Sequence, residues 1–158
     1  MPEDKIQKWA REVNAQIGKN PFRDRISFLM QNQQLAFISV TNTPIPQPNS
    51  FGTLLHILCA GNLERPDHVS AQTMEEFLRE RCKLAEPDEK GNIVAFYNKS
   101  NDLKHCGLYL GALSTGEDIM FHMTYEPIQE FESMEINKFL VEMSAVNRYK
   151  FYQFPNIK

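Results

Sequence analysis

The stretch His105-Cys106-Gly107-Leu108-Tyr109-Leu110-Gly111, followed after Ala-Leu-Ser-Thr-Gly-Glu-Asp by Ile119-Met120-Phe121-His122-Met123, constrains this chain most. Both runs are dense in large apolar residues, and the turn formers lie between them, so the pair predicts a β-hairpin. Side chains alternate across a sheet, which puts His105, Gly107 and Tyr109 on one face and Cys106, Leu108 and Leu110 on the other. If Leu110 pairs with Ile119, His122 falls opposite Gly107 and shares a face with His105. A slip of one residue would part the two histidines. Two imidazoles beside a glycine make a candidate site; the plainer alternative is a pair of satisfied histidines on a half-buried sheet.

The rest of the pattern places this hairpin in an α+β domain. Ile6, Trp9, Ala10, Val13 and Ile17 recur at helical spacing with Gly18 beyond them, predicting an amphipathic first helix in which Trp9 is a packing anchor. Phe22 to Val40 fits two templates in its first half, while Leu35 to Val40 fits a strand. Thr43-Pro-Ile-Pro-Gln-Pro48 is held extended by its prolines. It leads into Asn49 to Ala60, a strongly apolar run that predicts a central buried helix with Gly61 as its stop. Thr73 and Glu76 form a capping-box pattern ahead of Met74, Phe77, Leu78 and Cys82, with Pro87 and Gly91 closing that helix. Asn92 to Tyr97 predicts a strand, Ser133 to Met143 a short helix, and Asn147 to Phe154 a last strand.

At 158 residues the chain fits one domain, 1–158, with a helical and extended region over 1–48 and the core over 49–154. The formal net charge of −3 and the lack of a basic run argue against nucleic acid as a partner. Three cysteines without metal-type spacing point to reduced thiols and cytoplasmic synthesis. Met-Pro-Glu-Asp-Lys lacks a signal peptide's apolar core, and no run is long enough to span a bilayer. Secretion, if it occurs, would use a signal-independent route.

The order of these parts resembles the NlpC/P60 branch of the papain-like cysteine peptidases and amidases. The resemblance covers about residues 49 to 123 and is carried by Ile93-Val94-Ala95-Phe96-Tyr97, by His105-x-Gly-Leu-Tyr-Leu-Gly, and by Phe121-His122. It implies a papain-like fold, a buried helix packed across an antiparallel sheet, and hydrolysis of an amide bond through an acyl-enzyme without a cofactor. Carried over by position, the helix start holds the nucleophile, His105 is the base and His122 orients it. The family pattern has Asp/Asn-Cys-x-Gly at the helix start; this chain has Asn49-Ser50-Phe51-Gly52.

A helix amino terminus stabilises a thiolate, and a nearby imidazolium lowers the thiol pKa further. The amides of Ser50 and Phe51 would hold the oxyanion. A serine hydroxyl gains little from that ion-pair chemistry and needs a base placed for concerted transfer. Ser50 therefore admits several readings: a catalytic cysteine replaced by engineering, a natural loss that leaves a binding protein, or a natural serine nucleophile. An ordinary N-cap role is compatible with the first two. Cys59 lies ~13 Å down the same helix at ~1.5 Å per residue, and Cys106 points away from His105, so all three cysteines are expected as small core residues. His56 and His68 are expected to face loops or solvent. A zinc site from His56, Cys59, His105 and His122 lacks a second closely spaced pair. Two function classes follow. One is a cysteine amidase or endopeptidase acting on cell-wall peptide or host protein, as a secreted antibacterial enzyme or host-directed effector. The other is a catalytically silent papain-like module that binds a peptide.

Overall fold

The computed structural model describes residues 3–33, 48–86, 89–124 and 130–155. Its elements run α1 (Lys5–Lys19), α2 (Arg23–Gln31), α3 (Ser50–Ile57), α4 (Ala71–Arg81), β1 (Lys83–Leu84), β2 (Ile93–Tyr97), β3 (Leu103–Ala112), β4 (Asp118–Met123), β5 (Phe131–Glu135), α5 (Ile136–Glu142) and β6 (Arg148–Gln153). The strands form one six-stranded sheet in the order β1-β6-β2-β3-β4-β5, and every neighbouring pair is antiparallel. The architecture is α+β.

Each face of the sheet has its own core. Ile93, Ala95, Cys106, Leu108, Phe121 and Met123 pack with Phe51, Leu54 and Ile57 of α3. Val94, Phe96 and Met120 point the other way, onto Ile136 and Phe139 of α5. At roughly 1.5–3 kcal/mol per buried large apolar side chain, the α3 side, which also takes up Ile26, Leu29, Met74, Phe77 and Leu78, carries most of the burial energy. That is why α3 is buried along its whole length, Ser50, Thr53 and His56 included.

The hairpin contains a bulge. Gly111 pairs with Ile119, but Tyr109 pairs with Met120 and Leu108 with Phe121, so Leu110 is the extra residue. Gly111 takes φ +127, which an L side chain rarely adopts. The slip at the turn is thereby absorbed, and by extension of the register Gly107 lies opposite His122. The room beside Gly107 is already filled, because a Cβ there would meet Met120 Sδ at 2.8 Å.

Several boundaries differ from the sequence expectations. The ambiguous first half of Phe22 to Val40 is α2, with Ile26 and Leu29 buried. Helix α3 stops at Ile57, before Gly61, and Cys59 itself takes φ 59 to turn the chain. Helix α4 starts three residues early, since Ser70 rather than Thr73 is its cap and accepts from Thr73 N at 3.1 Å. The expected helix over Ser133 to Met143 is divided: Phe131–Glu135 is the strand β5, and only Ile136–Glu142 is helical. Ile6, assigned to the apolar stripe of α1, is 79% exposed. The expected strand at Leu35 to Val40, most of the proline stretch, and Pro87 lie outside the described residues.

Gly52 shows how tightly α3 is seated. A Cβ there would lie 1.5 Å from the backbone oxygen of Asp67. Alanine is favoured over glycine in a helix by about 1 kcal/mol, yet the clash is with backbone and cannot be relieved by a rotamer. Gly52→Ala is expected to lower stability by about 1–3 kcal/mol net, measured by urea denaturation; an unchanged or raised midpoint would refute this packing.

Candidate functional site

The start of α3 is built by Asn49. Its side chain accepts from Gly52 N at 3.0 Å, satisfying one of the first-turn amides. The same side chain pairs with the backbone of Val69, donating to its oxygen at 2.7 Å and accepting from its nitrogen at 3.1 Å. Asn49 N also donates to Asp67 O at 3.4 Å. The segment around Asp67 and Val69 therefore lies as a strap against the helix start. Ser50 and Phe51 are buried beneath it, 7% and 6% exposed.

The two histidines of the hairpin meet. His105 Nε2 and His122 Nδ1 are 2.7 Å apart, one donating and the other accepting, and both residues are buried. The His105 ring stacks on Phe139 of α5 at 4.5 Å, and His122 meets the same ring edge-on. Burial, and then the neighbouring His122, hold the His105 imidazole well below its usual pKa range, so it is neutral at physiological pH. His122 pairs across the ladder with Glu132, whose Oε1 lies 3.6 Å from His122 Nε2, beyond hydrogen-bond reach. The carboxylate favours a proton on Nε2 of His122; Nδ1 then accepts and His105 Nε2–H donates.

Ser50 does not join them. His105 pairs with Phe96 and faces α5, whereas α3 packs on the opposite face, against the side that Cys106 shows. Adjacent strand residues point to opposite sides, so the sheet separates the Ser50 hydroxyl from both imidazoles. Of Ser50 as nucleophile, His105 as its base and His122 as orienter, the structure brings the two histidines into hydrogen-bond contact and sets Ser50 apart from them. The same separation leaves an oxyanion held by the Ser50 and Phe51 amides without a proton donor from His105.

The other candidates also sort by burial. Cys106 is buried, Cys82 half-buried and Cys59 exposed, so the expectation of three core cysteines fails at Cys59. The Cys82 thiol is pushed up to about 11 by burial. His56 is buried rather than loop-facing, and its Nδ1–H donates to the Asn62 carbonyl at 2.7 Å. Among the described residues no group of three or more His, Cys, Asp or Glu is arranged to hold a metal ion. Glu132 falls in no expected element and Phe139 in the helix expected over Ser133 to Met143, so the sequence places neither beside the histidines. Strand parity opposite His122 would have found Glu132.

No family model, curated protein or solved structure matches the chain. Among the described residues no helix is long and apolar enough to cross a membrane.

Two outcomes follow from this geometry. The unfolded chain protonates His105 near pH 6.5 while the folded chain resists it, so stability is complete above about pH 6.5 and is lost as pH falls below that value. His105→Phe should remove up to about 1.4 kcal/mol per pH unit of that slope, read as the difference between urea midpoints of the two proteins from pH 7 to 4. Parallel curves would refute the buried neutral imidazole. Iodoacetamide at neutral pH should alkylate Cys59 in the folded protein and leave Cys106 untouched, as peptide mass mapping would show.

Proposed function

We propose that the chain is a binding module of the papain-like, NlpC/P60 type that holds a peptide or other amide ligand without hydrolysing it. The relationship is supported by the order of its parts: Asn49-Ser50-Phe51-Gly52 at a buried helix start, the strand Ile93–Tyr97, and the histidine-bearing hairpin. The non-hydrolytic reading is carried by one observation, the placement of Ser50 and His105 on opposite faces of the sheet. A serine hydroxyl without a base stays protonated and is a poor nucleophile. A groove of about 530 Å3 between α1 and β5, lined by Ile6, Trp9, Met134 and the charged Lys5, Glu132, Glu135 and Lys138, is of a size that takes peptide side chains. A net charge of −3 disfavours nucleic acid as the ligand.

The test restores the family's residue. In a Cys59→Ser background, Ser50→Cys introduces a thiol at the helix start. For a binding module its alkylation rate and pH profile are the same, within about twofold, whether residue 105 is His or Gln, and cell-wall fragments and host lysate are left uncleaved. A thiol pKa well below about 8.5 that rises on His105→Gln would place the imidazole beside the sulfur. The chain would then be a cysteine amidase or endopeptidase with its nucleophile replaced.

A further inference from the structure

We propose that the cavity beneath His122, on the α5 face of the sheet, binds a primary alkylammonium group, carried by a lysine side chain or by a small free amine. The site is remote from Ser50 and does not depend on the reading given above. Its volume is about 120 Å3. At about 30 Å3 per water that is room for a four-carbon chain with a polar head. The walls are Met134, Phe139 and Met143, which suit methylenes; the polar groups are His122, Thr124, Glu132 and Glu142. Neither lysine nor arginine is among the described residues lining it, although Glu132 also borders the groove that holds Lys5 and Lys138.

The head group is specified by His122. It is 2% exposed, its Nδ1 is engaged by His105, and its Nε2 has no hydrogen bond from the described residues. Glu132 Oε1 stands 3.6 Å away, too far to bond but close enough to share a third atom. A nitrogen about 2.8 Å from each, the usual charge-assisted distance, closes that triangle. With the proton of His122 moved from Nε2 to Nδ1, such an atom donates to the carboxylate on one side and to the freed imidazole lone pair on the other. An ammonium has three donors and no acceptor, and meets both demands. The His122 proton then resides on Nδ1 and is donated to His105 Nε2, and the His105 proton passes from Nε2 to Nδ1, so each ring changes tautomer and the hydrogen bond within the pair reverses. A metal ion fits less well, because no metal-type cluster of ligands is present among the described residues.

The test is a titration of the full chain with n-butylammonium chloride at constant ionic strength, followed by imidazole nitrogen-15 and ring-proton NMR. Saturable shifts at His122 are expected, with its proton moving from Nε2 to Nδ1, a change that general surface binding would not produce. n-Butanol, the same chain without the charge, should bind at least tenfold more weakly. So should butylammonium to Glu132→Gln and to Glu142→Gln; the second lies at an exposed position and leaves the fold intact. Ser50→Ala should bind as the parent does. A second arm uses Nα-acetyl-lysine N-methylamide. Affinity equal to or above that of butylammonium identifies a peptide-borne lysine as the ligand, and lower affinity identifies a free amine. Absence of the tautomer change, equal binding of butanol, unaltered binding by both glutamine variants, or loss of binding in Ser50→Ala would overturn the proposal.

Discussion

The extra residue at Leu110 decides on which side every later β3 and β4 side chain falls, because strand side chains alternate with period two. Carried on without the bulge, the pairing of Gly111 with Ile119 would set His122 opposite Leu108. That imidazole would then sit among the apolar side chains under α3, away from His105. With the bulge, His122 meets His105 and looks onto Glu132, while Met123 and Phe121 remain in the α3 core. Gly111, at φ +127, is the residue type that permits the bulge there. One backbone irregularity thus sets both imidazoles on the α5 face.

Burial imposes the same demand on both faces. On the α3 side buried polar groups must find partners too, as His56 does at the Asn62 carbonyl. On the α5 side each histidine supplies the other's partner, and Phe139 covers both rings. That one shared hydrogen bond and the covering ring lower the cost of burying the pair, and burial in turn keeps His105 neutral. Short α5 accounts for the opening beside them: seven residues cover Phe96, Met120 and the imidazoles, and the helix ends at Glu142 on the rim of the cavity.

What the sequence disclosed follows from how local each feature is. The hairpin, strand β2 and helices α1 and α4 declare themselves by periodicity, and the α+β class follows from their order. The facing of His105 and His122 was legible too, conditional on a register that the bulge preserves. Strand β5 was not, because its second half, Ser133-Met134-Glu135, falls within the helix expected over Ser133 to Met143 and Phe131-Glu132 fall outside any expected element. Losing β5 hid Glu132, and with it the polar groups that border the cavity. The end of α3 at Ile57 was hidden as well, since nothing in the sequence foretells a cysteine taking the left-handed turn that Gly61 was expected to make.

The family resemblance shows where motif spacing stops being chemistry. His-x-Gly-x-Tyr fixes which residues share a face, but not which face meets the helix bearing the candidate nucleophile. That is set by packing: Cys106, Leu108 and Phe121 offer α3 a continuous apolar surface, and the face of His105 offers two imidazoles. A helix as apolar as α3 gains far more from the first, by about 25 cal/mol per Å2 of area removed from water. Once α3 is seated there, Asn49 and the strap around Asp67 and Val69 complete the burial of its first turn. Ser50 then needs no catalytic explanation. A small polar residue fits a helix start beneath a strap, whereas a thiolate in the same place would lack the imidazolium that makes it reactive.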